Sequence, residues 1–289
     1  MIAEASPAAG YKSSEALRHA LTKRFESDTV RLPIMPKVAA DLMRLTNDPN
    51  VGLSDLSDLI HKDASLAARI VQVANSAAYG RGERVSSLQE AVERLGLSCL
   101  SEIALSASLR AGVFRMPGFE KEISQLWRHS LFSAYFSKEI ARVKGGAAEV
   151  LFLCGLLHTI GKPTVLQMIV DLAQQHHFQL QPEMIEALLE EFHWKITIGM
   201  SQQWDLPEAI QVSCAHYNTY PEAPACREEA AITHLADRFA SWVTVPGAID
   251  EPMLKQEPAF EFLHFAAEEV ETVLELKEKV SVHVSAIET

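Results

Sequence analysis

Four histidines, His129, His158, His193 and His216, precede Asp237 along the chain, and Lys162 lies among them. Imidazole nitrogens and carboxylate oxygens are the donors that hold iron, manganese or zinc, and imidazoles also move protons near neutral pH. The separations are long, so no single helix face gathers these residues and spacing alone assigns no site. On periodicity each histidine reads as a hydrogen-bonded core or surface residue. Other chemical signatures are missing: the sequence has no Gly-rich phosphate loop, GxSxG elbow, HExxH or EF-hand loop.

The remaining polar features have plain readings. Glu190 and Glu191 are adjacent, and neighbouring helix positions point about 100° apart, so both are expected to face solvent. His176 and His177 sit in a glutamine-rich turn and are expected to be exposed. Trp127 and Trp194 read as core side chains rather than stacking platforms. Asn75 and Ser76, with Tyr79 and Arg81, form either a docking loop or a helix C-terminus whose polar groups satisfy orphan carbonyls.

Composition narrows the classes. Hydrophobic residues make up 48% of the 289 and charged residues 22%, so a folded chain is expected. The 26 basic and 38 acidic residues give a net charge of −12, which repels a phosphate backbone and argues against DNA or RNA as a partner. Cys99, Cys154, Cys214 and Cys226 form no CxxC pair, so reduced, buried thiols are expected rather than a zinc site or disulfides. The N-terminus lacks a basic start followed by an apolar core, and the longest apolar run, Val150 to Leu157, falls short of the ~20 residues of a spanning helix. A soluble, cytoplasmic protein is expected, with no membrane partner.

The elements that must position these residues are helices. Val38, Leu42 and Leu45 share one face, and Asn47-Asp48-Pro49-Asn50 stops that helix. Ser54 is expected to cap a short helix and Asp63 the next. Residues 75–85 read as a loop, Ser87-Leu88-Gln89-Glu90 as a capping box, and Gly96 as a helix end, with another helix over 99–110. Met116-Pro117-Gly118 is the candidate boundary between two helical lobes. Beyond it come an amphipathic helix over 120–143 closed by Gly145-Gly146, and a very apolar helix over 147–158. Pro163, Pro182 and Pro207 are each placed at a first helical turn, and a helix covers 227–242. Residues 244–259 read as an irregular connector, and the end as one acidic amphipathic helix. Strand signals and repeats are missing, so the fold class is all-α.

Ordered blocks along the chain carry a resemblance. They are Leu32-Pro33-Ile34-Met35-Pro36, Ile60-His61-Lys62-Asp63-Ala64-Ser65-Leu66, the run from Arg69 to Tyr79 and the run from Ser87 to Gly96. Gly155-Leu156-Leu157-His158-Thr159-Ile160-Gly161-Lys162, Trp204-Asp205-Leu206-Pro207 with Ile210, and His216-Tyr217 follow. In this combination the chain resembles an HDOD domain, a degenerate relative of the HD and HD-GYP phosphohydrolases. The resemblance implies an N-terminal helical extension over 1–29 and an HDOD domain over 30–240, with lobes at 30–116 and 117–240. A connector and acidic helix over 241–289 would complete the chain.

In active HD relatives a His, a His-Asp dyad and a later Asp hold one or two divalent metals that activate water. The resemblance maps these onto His129, His158-Thr159 and Asp237, with His193 and His216 as remnants of a second site and Lys162 as a phosphate contact. A further histidine of that pattern is Tyr217 here. Thr159 departs at the position where a carboxylate bridges two ions. A hydroxyl is neutral and bridges poorly, and two dications about 3.5–4 Å apart repel strongly without a shared anion. A binuclear centre is therefore not expected.

His129, His158 and Asp237 remain either a ligand set for one iron, manganese or zinc ion or a hydrogen-bonded cluster, and no cofactor is required. The expected function is non-catalytic signal transduction through signalling proteins or a bound ligand, a nucleotide among them. The alternative is a phosphohydrolase with a mononuclear metal. The flanks outside 30–240 are too short for a sensor, receiver or GGDEF-like domain.

Overall fold

The computed structural model describes residues 7–27, 30–46, 52–80 and 82–288. Among them every regular element is a helix and there is no strand. In chain order these are α1 (Pro7–Glu26), α2 (Lys37–Thr46), α3 (Leu53–His61), α4 (Ala64–Ala74), α5 (Leu88–Gly112), α6 (Glu120–Lys144), α7 (Ala148–Leu157) and α8 (Lys162–His176). There follow α9 (Pro182–Gln203), α10 (Glu208–His216), a 3₁₀ turn (Tyr217–Glu222) and α11 (Arg227–Thr244). The chain ends with α12 (Glu251–Lys255), α13 (Pro258–Phe262), α14 (Ala267–Leu274) and α15 (Leu276–Glu288).

Helices α2 to α5 pack on one another, and α6 to α11 form a second set in which α6 packs on both α7 and α11. α1 joins that second set: it packs on α8, Phe25 stacks on Phe192 at 5.5 Å, and Arg18 pairs with Glu191 at 2.7 Å. α15 bridges the two sets. It runs along α6, where Lys279 reaches Glu139 at 2.5 Å, and His283 lies near the rings of Tyr79 and Tyr135. Its Ile287 carbonyl accepts a hydrogen bond from Arg69 of α4.

Local chemistry accounts for most boundaries. Asp63 caps α4 by accepting from the Ser65 and Leu66 N–H groups. Ser87 caps α5 by accepting from the Glu90 N–H, and the Glu90 carboxylate accepts in turn from the Ser86 N–H at 2.8 Å. Gly96, at φ 73°, divides residues 88–112 into two helical pieces, as its position suggested. Gly145 ends α6 in the left-handed conformation. Asn75 satisfies the Val71 and Val85 carbonyls, and Ser76 that of Val73, so these residues close a helix end. Arg81 and the Asn47-Asp48-Pro49-Asn50 breaker lie outside the described residues.

Several expectations need correction. Gly52, not Ser54, is the N-cap of α3: the Asp55 carboxylate reaches back to the Gly52 N–H at 3.0 Å, which pulls Ser54 inside the first turn. Pro207 stands just before α10 rather than within its first turn. The connector contains α12 and α13, each started by a proline in its first turn, with Asp250 capping α12. The C-terminal stretch is two helices separated at Glu275, and each buries its own apolar residues. α6 is amphipathic only at its start; from Ser130 to Ala141 it is buried all round because helices cover every side. Trp194 is 46% exposed, whereas Trp127 is core as expected. Cys154 and Cys214 are buried, and Cys99 and Cys226 only partly, all four free. The stretch Ala148–His176 has a window long and apolar enough to cross a membrane, but 78% of that window is buried inside the fold.

One buried ion pair ties the two helical sets together. Lys138 of α6 donates to both oxygens of Glu102 of α5, at 2.6 and 2.7 Å, and both side chains are buried. Burial outweighs Lys138 and raises the Glu102 carboxyl above its ordinary value. A folded-state value above the unfolded one means that the folded chain holds this proton more tightly. The contribution is complete below the unfolded value and is lost as pH rises through the folded one. Lys138→Met strands Glu102 and is expected to cost about 3–5 kcal/mol near neutral pH. Urea denaturation should show that deficit shrinking in mild acid, where Glu102 is buried neutral; a pH-independent deficit would contradict this account.

Candidate functional site

Close backbone approaches build the site. A side chain at residue 155 would collide with the Ser133 carbonyl and the Ser137 hydroxyl of α6, so Gly155 lets α7 cross α6 in contact. A Cβ at residue 161 would lie 2.6 Å from the His193 carbonyl oxygen and 2.7 Å from the Thr197 nitrogen, so Gly161 seats the turn after α7 directly on α9. Thr197 fixes that seat, accepting from the Gly161 N–H at 3.1 Å and donating to the His193 carbonyl at 3.0 Å. The turn between α7 and α8 then presents His158 and Thr159 to α6, which carries His129, and to α11, which carries Asp237.

Three of the expected residues meet. His129 Nε2 lies 2.9 Å and His158 Nε2 3.1 Å from the same oxygen, Asp237 Oδ1. One donor atom from each residue falls within 4.8 Å of the others, and this trio is the one such group among the described residues. Burial works to raise the Asp237 carboxyl, but the hydrogen bonds and charge of the two imidazoles outweigh it and hold Asp237 well below the usual Asp range. Burial lowers His129 in spite of its hydrogen bond to Asp237.

His158 is constrained at both nitrogens. Its Nδ1 lies 2.8 Å from the Gly155 carbonyl, which can only accept, so Nδ1 carries the hydrogen. In a neutral ring Nε2 then points a lone pair at a carboxylate oxygen, and that contact requires either a second proton or a cation between them. A ring whose far N–H is held by a backbone carbonyl is also the usual orientation of a metal-ligating histidine. The donor set therefore fits one divalent ion, which His129, His158 and Asp237 would hold and which would supply Lewis acidity.

It does not fit two. Thr159 is buried, and its hydroxyl lies 3.3 Å from that of Ser130, a neutral pair where a bridging carboxylate would be needed. The edge of Tyr217 packs on His158 with ring centres 4.9 Å apart. His193 is buried and kept well below its ordinary value by burial and by Lys162, but it lies outside the donor set. His216 is only partly buried, 3.4 Å from Thr219, and also lies outside it.

Lys162, expected as a phosphate contact, donates its ammonium to Glu190 at 2.6 Å. Glu190 was expected to face solvent, and its side chain is 56% exposed, yet it closes the site by meeting Lys162 and approaching His193 at 3.8 Å. Ser130, too, went unrecognised; its position one residue after His129 was the available signal. His176 and His177 are exposed, as expected.

The HDOD domain model matches residues 32–220, and the chain belongs to the HDOD family. An uncharacterised protein of Treponema pallidum (strain Nichols) is 28% identical over 201 residues, which are 67% of this chain and 39% of that protein. The chain thus matches well under half the length of that relative. Among solved structures, an HDOD domain protein of unknown function from Geobacter sulfurreducens is similar with a TM-score of 0.72 and 24% identity, over 94% of this chain and 98% of that one. A structure from Marinobacter aquaeolei VT8, described as a candidate signal transduction protein, gives 0.70 and 20% identity over 97% of this chain and 67% of that one. At these identities the structures establish the fold.

Asp237→Ala removes the acceptor shared by two imidazoles and is expected to cost about 1–3 kcal/mol of stability. Chemical denaturation in the presence of a chelator would measure this. A mutant as stable as wild type would show that the cluster needs an ion, rather than its own hydrogen bonds, to be organised.

Proposed function

We propose that this chain is a non-catalytic signal-transduction module of the HDOD type, acting through protein partners or a bound ligand. The observation that carries this reading is Thr159, whose buried hydroxyl is paired with Ser130 at the position of the bridging carboxylate in active HD relatives. Further support comes from Lys162, whose charge is already matched by Glu190. A pocket with neither a bridging anion nor a free cation for phosphate is poorly equipped to hold two metals against a phosphodiester. The net charge of −12 favours protein or small-molecule partners over nucleic acid.

A second reading, a phosphohydrolase with one divalent metal, is favoured by the convergence of His129, His158 and Asp237. Metal analysis of protein purified without chelators, combined with a bis(p-nitrophenyl) phosphate assay, separates the two. The expected result is at most one ion per chain and no turnover; a full metal pair with rapid cleavage would overturn the proposal. Thr159→Asp restores the missing anion and is expected to raise Mn²⁺ affinity about tenfold or more, since each ~1.4 kcal/mol of added attraction is a factor of ten. Calorimetric titration would read it. Unchanged affinity would mean that the pocket no longer opens to an ion.

A further inference from the structure

A cleft of about 880 Å³ opens between α4, α5 and the end of α15, and none of His129, His158 and Asp237 lines it. Three arginines, Arg69, Arg110 and Arg115, line this cleft in a chain whose acidic residues outnumber its basic ones by 38 to 26. Among the described residues Arg69 meets no carboxylate: it donates to the Gln72 side chain at 3.0 Å and to the Ile287 carbonyl. Arg110 lies over the ring of Trp127 at 5.8 Å. Burial and the nearness of Arg110 both push Arg69 below its ordinary value, the mark of two guanidinium groups sharing a partly dry space.

The acidic residues of the lining are two. Asp63 is committed to capping α4. Glu288, on the last turn of α15, pairs with Arg128 at 2.5 Å and also feels Arg110. The end of α15 thus already offers this cleft a carbonyl and a carboxylate. The walls hold a further unmet group: the buried indole N–H of Trp127 has no hydrogen-bond partner among the described residues. Guanidinium forks match phosphate oxygens two at a time, and the volume falls within the range of small-molecule sites.

We propose that this cleft binds a phosphoryl-bearing small molecule of mononucleotide size, its phosphate engaging Arg69 and Arg110 in place of the Ile287 carbonyl and the Glu288 carboxylate. The apolar wall, which includes Ile103, Phe114 and Trp127, receives the rest of the ligand. Occupancy therefore displaces the end of α15. The site stands independently of the metal question.

Isothermal titration of the full chain with AMP, with inorganic pyrophosphate and with adenosine tests this. Binding of the two phosphorylated probes but not of adenosine is expected. Glu288→Gln removes the competing anion from a partly exposed helix end and is expected to tighten binding several-fold. Arg110→Gln is expected to weaken binding about tenfold or more, the size of a lost charge-assisted contact. Arg69→Gln, at the other arginine that meets the phosphate, gives a second loss-of-charge variant should Arg110→Gln fold poorly. No binding of AMP or pyrophosphate at millimolar concentration by both wild type and Glu288→Gln overturns the proposal. So does binding that neither arginine change weakens.

Discussion

Helices α6 and α7 cross at a point where even a methyl group at residue 155 would collide with the Ser133 carbonyl. That contact sets the height of the turn after α7, and the same glycine's carbonyl fixes the ring of His158. Six residues later Gly161 makes an equally close approach to α9. The turn carrying His158 and Thr159 is thus pressed between helices at both ends, with no room to adjust. Positions so constrained present their side chains in one way only. That is why a histidine from α6 and the histidine of this turn, far apart in sequence, find the same aspartate oxygen of α11.

Within this rigid frame the charges are few and mostly matched. Asp237 is one carboxylate serving two rings through a single oxygen, and Lys162 is answered by Glu190. Glu102 and Lys138 form another buried pair where α5 meets α6. Buried charges of this kind are weak sources of stability but strong constraints on geometry, since a shift of either partner exposes an unmet charge to low dielectric. Beside this site the buried Ser130 and Thr159 hydroxyls form an uncharged pair.

The all-helical class and most helix ends were legible because their causes are local. Asp63, Ser87, Gly96 and Gly145 act within a few residues of themselves, through caps and left-handed turns. The pairing of His129, His158 and Asp237 was legible only through the resemblance of the motif blocks, since no periodicity links positions on three separate elements. Glu190 shows what local reasoning misses. It is exposed enough to look like a solvated acid, yet a lysine from the preceding helix reaches it across the mouth of the site. α6 was misjudged for a related reason, as all-round burial depends on how many neighbours a helix acquires. The break at Glu275 has no glycine or proline to announce it, and Trp194 faces outward although its size suggested core.

The last helix holds both sets of helices at once, through Arg69 and the Tyr79 ring on one side and Glu139, Tyr135 and Arg128 on the other. A change in the angle between the two sets would have to slide, bend or unfasten this helix, so α15 acts as a brace across them.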